Sequence, residues 1–232
     1  MTWVVTGAGG GIGRAVAEHL LAAEAQVVGQ DLHPVDAPFP VVTGDVTDPA
    51  VQRELIARAT SSEPVQGAVL CHGIAAARRL EDATPEWTRR VMAINFESVV
   101  ALGETLLATM PDGAPLVVTS SQAGLVGEPS NGVYCASKSA LLPWARALGS
   151  TGARMRVLCP GATETPLLTA ALQGMADARQ IPYQQVLAER QAATPIGRLG
   201  TPAEIAAAAV WLAQLRTPGT VVAAATGGEV LT

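Results

Sequence analysis

The sequence predicts an α/β fold, a doubly wound parallel sheet in a single domain spanning residues 1–232. Three observations carry this. Short apolar runs alternate with helical patterns from end to end. The hydrophobic fraction is 49% and the charged fraction only 15%, as strands buried on both faces require. The first strand runs straight into a glycine-rich turn and a helix.

Strand runs fall near residues 3–6, 26–30, 40–43, 67–71, 115–119, 155–159 and 220–225. Helical patterns fall near 12–23, 49–60, 86–108, 132–149 and 202–214. Such alternation predicts right-handed crossovers. Trp3-Val4-Val5 opens the sheet, and Thr6-Gly7-Ala8-Gly9-Gly10-Gly11-Ile12-Gly13 follows it. Glycines let the backbone turn tightly and approach a pyrophosphate, while the helix N-terminus offers free N–H groups to the anion. Gly7, Gly10, Gly11, Ile12 and Gly13 are the candidate contacts.

Gln26–Gln30 reads as the second strand, with Asp31 at its carboxyl end, 18 residues beyond Gly13 (31 − 13). A carboxylate there accepts hydrogen bonds from ribose hydroxyls and repels a 2′-phosphate. That favours NAD over NADP. Arg14, directly after the turn, is the one cation placed to oppose this. Pro34, Pro38 and Pro40 leave no room for a crossover helix before the third strand, so an irregular connection is expected.

Tyr134 and Lys138 lie four residues apart in Asn-Gly-Val-Tyr-Cys-Ala-Ser-Lys. On a helix they share a face. A neighbouring cation favours the phenolate, which otherwise forms only near pH ~10. The pair is a means of moving a proton to or from an alcohol oxygen. The same spacing also occurs by chance on surface helices, so its meaning depends on the rest of the chain.

Taken together these residues resemble the short-chain dehydrogenase/reductase family over essentially the full length. Thr6, Gly7, Gly11 and Gly13 match its Thr-Gly-x-x-x-Gly-x-Gly motif. Asp45-Val46 matches the pair that holds adenine, and Asn95 falls where that family has an active-site asparagine. Ser121 precedes Tyr134 by the family spacing of 13 (134 − 121), and neighbouring Ser120 is one residue too far. Pro160-Gly161-Ala162-Thr163-Glu164-Thr165 resembles the Pro-Gly loop, whose last threonine faces the nicotinamide.

The resemblance implies a Rossmann-type fold and a division of labour. Tyr134 is general acid/base, and Ser121 orients the substrate oxygen. Lys138 tunes Tyr134 and binds the nicotinamide ribose, and Asn95 holds a water linking Lys138 to solvent. Gly73, Pro160, Thr163 and Thr165 join the cofactor contacts. The expected activity is interconversion of a secondary alcohol and a ketone with NAD(H). Within the family, the short stretch after Asp31 and the Pro-Gly loop look similar to dihydrodiol dehydrogenases, which points weakly to a cyclic diol. The alternative is a non-catalytic NAD(H)-binding redox sensor on the same fold.

Two departures stand out. Leu70, Cys71 and His72 occupy places where the family has Asn, Asn and Ala, with Gly73 retained. His72 either reaches the cofactor or is satisfied by backbone or water. Pro143 lies five residues after Lys138 (143 − 138), inside the predicted helix, where it removes a donor and can kink it. The resemblance implies a homodimer or homotetramer, and that helix forms one dimer face.

Residues 166–202 are the expected substrate-loop region, closing over the site as a mobile lid. Leu167, Leu168, Leu172 and Met175 recur at helical spacing, as a substrate wall or as core packing. Gln122, Asn131 and Glu164 are polar candidates near the pocket mouth, or solvated loop residues. The net charge of −5 gives no support for nucleic-acid or anionic-membrane binding. No uninterrupted apolar stretch of about 20 residues suggests a spanning helix, and no signal-peptide pattern opens the chain. Cys71, Cys135 and Cys159 show no metal spacing and read as reduced thiols. The expectation is a cytoplasmic protein without a metal, acting on a small molecule.

Overall fold

In the computed structural model, which describes residues 1–75, 83–128 and 131–230, seven strands pair into one wholly parallel sheet. They are β1 (Thr2–Thr6), β2 (Gln26–Asp31), β3 (Val41–Thr43), β4 (Val65–Leu70), β5 (Pro115–Thr119), β6 (Arg154–Pro160) and β7 (Thr220–Ala225), in the order β3-β2-β1-β4-β5-β6-β7. The direction of winding reverses between β1 and β4. Ligands bind at that switch point, beyond the carboxyl ends of the strands.

Alternate residues of each strand face opposite layers. Val4, Val28, Leu70, Leu116 and Val118 pack on one side, against α2 (Pro49–Ala59), α4 (Ser98–Thr109) and α6 (Leu141–Ser150). Val5, Val27, Val69, Val117 and Leu158 pack on the other, against α1 (Gly11–Ala22) and α9 (Pro202–Gln214). The stretch between β2 and β3 contains no helix among its residues, as its prolines require.

Several helix starts share one local device. Asp48, Thr84, Thr165 and Thr201 accept a backbone N–H at the starts of α2, α3 (Pro85–Met92), α7 (Pro166–Arg179) and α9. Each is followed by a proline, which supplies a preset φ where no N–H is needed. At α1 the cap is Gly10, which makes no side-chain cap bond, and the first turn holds no acidic residue. The free N–H groups of that end remain available to an anion.

Two helices differ from the sequence expectation. The pattern at 86–108 is one helical run interrupted by a π-helical turn, Ala93–Glu97, between α3 and α4. From Pro85 to Thr109 it spans 25 residues, and an 18-residue window within it has a mean hydropathy of 1.5, which by length and composition alone is enough to cross a membrane. Here its apolar side, with Val91, Val99, Leu102 and Leu106, is buried within the fold. The helix expected over 132–149 is broken into α5 (Gly132–Ser139) and α6 at Ala140. Pro143 explains the break. It has no N–H for Ser139, its ring crowds that carbonyl, and the following Trp144 N–Ala140 O bond is stretched to 3.5 Å.

The substrate-loop region forms two helices, α7 and α8 (Tyr183–Ala193). Leu172, Ala176 and Val186 make a small core of their own between them. The packing alternative, core packing against the sheet, is not what Leu172 does: it packs against α8 and also lines the cleft.

Candidate active site

The carboxyl ends of the central strands open into a cleft of about 540 Å³, within the usual range for a small-molecule site. Its nucleotide end is shaped by glycines. Gly7 holds φ +65°, a conformation that favours glycine, and a Cβ there would press on the His72 backbone at 3.2 Å. A Cβ on Gly13 would fall well inside van der Waals contact with the Gly7 carbonyl. Gly10 caps α1 with open space around it, and a Cβ on Gly11 would collide with Thr165.

Asp31 stands beside this turn. Its Oδ2 accepts from Gly9 N at 2.9 Å and its Oδ1 from His33 N at 3.3 Å. Arg14 is already engaged: Nε donates to Glu18 at 2.6 Å, a terminal nitrogen donates to Asp36 O at 2.8 Å, and the guanidinium lies 5.7 Å from the Phe39 ring centroid. The bare helix end, the cradle that any side chain would fill and the carboxylate at the β2 terminus fit a nicotinamide dinucleotide.

Asp45 and Val46 are placed less directly. One Asp45 oxygen accepts from both N (2.9 Å) and Oγ1 (2.8 Å) of Thr47, and these bonds hold its carboxyl below the usual range. The Val46 side chain is buried in the core, which leaves its backbone as the group that could meet a ligand.

The catalytic candidates converge from three elements. Ser121 begins a short 3₁₀ turn (Gln122–Gly124) after β5, and its hydroxyl accepts from Ala123 N at 3.1 Å. Tyr134 of α5 lines the same cleft, and Ser121 is near enough to act on the phenol electrostatically. Ser120 points elsewhere: it is buried and donates to Lys138 O at 2.8 Å. The spacing distinction between the two serines therefore has a structural counterpart.

Lys138 is buried, and its Nζ donates to Thr119 O at 3.0 Å. Desolvation lowers its pKa to about 8. Tyr134 departs from the sequence expectation. Burial raises its pKa to about 12, against the smaller lowering effect of the nearby Ser121 hydroxyl. Removal of the phenol from water disfavours the phenolate, and the neighbouring Glu128 adds to the rise.

Asn95 lies fully buried within the π-helical turn. Its Oδ1 accepts from Ile74 N at 2.8 Å, and its Nδ2 donates to Ile74 O at 3.1 Å and Ser137 Oγ at 3.2 Å. Gly73 is the point where this group meets Lys138. A Cβ there would sit 3.1 Å from Asn95 Oδ1 and 3.2 Å from Lys138 Nζ. The extra residue of a π turn re-aims a side chain, and this one directs Asn95 at the strand end.

His72 is resolved as a structural group. Ser98 Oγ donates to Ile94 O at 2.8 Å, so it accepts from His72 Nε2 at 3.0 Å. Nδ1 then accepts from Thr6 Oγ1 at 2.6 Å, which fixes the neutral tautomer. Burial pushes the imidazole down to about 3. His72 thus ties the end of β1 to the start of α4. Cys71 lines the cleft, and burial pushes its thiol up to about 11. Packing accounts for it. No metal-binding cluster occurs among the described residues.

Ile12, Gly73, Pro160, Thr163 and Thr165 all line the cleft. The substrate end has two unlike walls. Leu167, Leu168, Ala171, Leu172 and Met175 of α7 form the apolar one. Gln122, Glu128, Asn131, Arg190 and Glu229 form the polar one. Glu164 is exposed and outside the cleft. Arg190 and Glu229 were missed by sequence reading. They lie 39 residues apart in unrelated segments, and only the fold pairs them.

Residues 7–224 match the family model described as Enoyl-(Acyl carrier protein) reductase. The chain is 31% identical over 227 residues to the 2-(S)-hydroxypropyl-CoM dehydrogenase 3 of Xanthobacter autotrophicus, covering 90% of this chain and 87% of that one. It is 32% identical over 229 residues to the 2,5-dichloro-2,5-cyclohexadiene-1,4-diol dehydrogenase of Sphingobium indicum, covering 91% and 88%. A short chain dehydrogenase family protein of Francisella tularensis superposes with a TM-score of 0.90 at 23% identity, over 98% of each chain.

Proposed function

The chain belongs to the short-chain dehydrogenase/reductase family, and we propose that it is an NAD-dependent enzyme interconverting a secondary alcohol and a ketone. Its relatives are alcohol and diol dehydrogenases, which supports secondary-alcohol oxidoreduction as the class of chemistry. The observation that carries the finer reading is the meeting of Ser121 and Tyr134 on one cleft lining, with buried Lys138 beside them on the same helix as Tyr134.

When bound, the nicotinamide cofactor supplies the hydride acceptor or donor. The chain supplies position and protons. Ser121 donates to the substrate oxygen and opposes charge developing there. Tyr134 Oη takes the proton of an alcohol, or returns it to a ketone. Lys138 binds the ribose hydroxyls and supplies the positive charge that brings Tyr134 down from its raised value. Asn95 Oδ1 uses one lone pair on Ile74 N and has a second for a water that relays protons from Lys138.

Gly7, Gly10, Gly11, Ile12 and Gly13 cradle the pyrophosphate, and Asp31 takes the adenosine ribose. Asp45, with the Val46 backbone, meets the adenine. Gly73, Pro160, Thr163 and Thr165 hold the nicotinamide side. Asp31 and the prior engagement of Arg14 favour NAD over NADP. A neutral cyclic diol suits the apolar wall of α7 facing a polar one. The reading includes a cytoplasmic setting, closure of α7 and α8 over the substrate, and a homodimer or homotetramer.

The test is a panel of secondary alcohols with NAD, wild type against Tyr134→Phe. Turnover in wild type that vanishes in the variant is expected. Full-rate turnover by the variant would sink the assignment. Tight NADH binding without any turnover in wild type would favour a redox sensor instead.

A further inference from the structure

We infer that the Arg190–Glu229 pair is a charge filter that reserves the substrate end for neutral alcohols, with Glu229 as the specificity-determining residue. The inference rests on the dehydrogenase reading above and deepens it.

Three observations carry it. First, both residues line the cleft and pair bidentately, Arg190 donating to the two Glu229 oxygens at 2.7 Å each. Their side chains are 22% and 21% exposed, whereas Arg179–Glu189 and Arg198–Glu204 lie outside the cleft at 45–51%. Exposed pairs of that sort contribute little. A pair sunk into a cleft wall is less screened and acts on whatever enters.

Second, Glu229 is held by a built turn. Gly227 and Gly228 take φ +62° and +87°. Thr226 Oγ1 donates to Val230 O at 2.8 Å and accepts from Val230 N at 3.1 Å. Ile196 N donates to Gly227 O at 3.3 Å, tying the turn to the segment after α8. The carboxylate is therefore presented to α8 by a closed backbone loop.

Third, the remaining polar wall presents acceptors. The Glu128 carboxylate accepts from Gln122 Nε2 at 3.4 Å and Asn131 Nδ2 at 2.9 Å. Since a carboxylate accepts only, these bonds fix both amide orientations. Gln122 Oε1 and Asn131 Oδ1 are left buried without a partner among the described residues. Arg190 is the wall's cation, and Glu229 neutralises it. A carboxylate-bearing substrate meets the Glu128 and Glu229 carboxylates and a guanidinium already engaged. A neutral alcohol meets acceptors suited to a second hydroxyl.

Glu229→Gln removes the neutralising charge and frees Arg190 for a substrate anion. The experiment compares kcat/KM with NAD for cyclohexanols and cyclohexanediols against hydroxycyclohexanecarboxylates. Wild type should prefer the neutral set. In Glu229→Gln the acid-to-neutral ratio should rise at least tenfold, and Arg190→Gln added to it should abolish the gain. An unchanged ratio in a folded variant overturns the inference, as does a wild-type preference for the acids, and either result leaves the dehydrogenase reading intact. Wild-type turnover of neither set removes both. Thermal melting monitors folding. Should Glu229→Gln not fold, Glu229→Asp withdraws the carboxylate by one methylene, and about a threefold rise is expected. No rise there counts against the filter equally.

Discussion

The dinucleotide end and the substrate end of one cleft are built by different means. The first is made of backbone: Gly7 in a left-handed conformation, Gly13 against the Gly7 carbonyl and an α1 terminus without a side-chain cap. The second is made of side chains contributed by the 3₁₀ turn, α5, α7, α8 and the C-terminal turn. A backbone-built site tolerates no added atoms but is indifferent to most side-chain chemistry. A side-chain-built site keeps its shape through substitution and changes what it accepts.

That contrast can be broken at several points. Tyr134→Phe removes one oxygen, with an expected kcat loss of about 10²- to 10⁴-fold. NADH affinity, followed by fluorescence titration, should move far less. Equal losses in both would mean the two ends are not separable. Gly13→Ala adds one methyl group at the other end. Alanine favours a helix over glycine by up to about 1 kcal/mol, but the Gly7 carbonyl cannot yield. Overpacking should dominate, with about 2–3 kcal/mol lost in urea unfolding and cofactor binding lost with it. A neutral or stabilising outcome would show that the turn has slack.

Asp31→Ala sharpens the comparison, because it is the side chain on which the backbone-built end relies for choice. NADH-over-NADPH preference should narrow at least tenfold, about 1.4 kcal/mol. Tighter NADPH than NADH binding in the wild type would remove the role given to Asp31. The smallest effect concerns His72, which ties the end of β1 to the start of α4. In the folded protein burial holds its pKa at about 3, below the ordinary value of 6.5. Between those values the unfolded chain binds more protons, so stability rises with pH and is lost on acidification through that window. Urea midpoints at pH 7 and pH 5.5 should differ by about 1 kcal/mol from this group alone. His72→Asn should flatten the slope, and an unaltered slope would mean the imidazole is not buried neutral.

The same contrast explains what could be read from the chain. The glycine turn, Asp31 and the Tyr134–Lys138 spacing are local, so their geometry follows from neighbours in sequence. The parallel sheet was legible because each strand is an apolar run with its own crossover. The raised Tyr134 pKa was not legible. It depends on burial of the phenol by segments distant in sequence, which desolvates it. Nor was Arg190–Glu229, whose partners meet only after α8 and the C-terminal turn dock. The split of α5 from α6 was half visible in Pro143. The start of α7 was visible in Thr165-Pro166, a cap followed by proline, and in the helical spacing of Leu167, Leu168, Leu172 and Met175.

The π-helical turn at Ala93–Glu97 has a consequence for phase. One added residue advances the helix by roughly 100°, so α3 and α4 do not share one helical wheel. A wheel drawn continuously from Pro85 to Thr109 assigns one of the two segments to the wrong face. Excising any single residue between α3 and α4 would restore a regular helix. Winding the run as a regular helix with all its residues kept would instead swing either the Val91 face or the Leu102–Leu106 face out of the core. The insertion that aims Asn95 is thereby locked in place by packing on both sides of it.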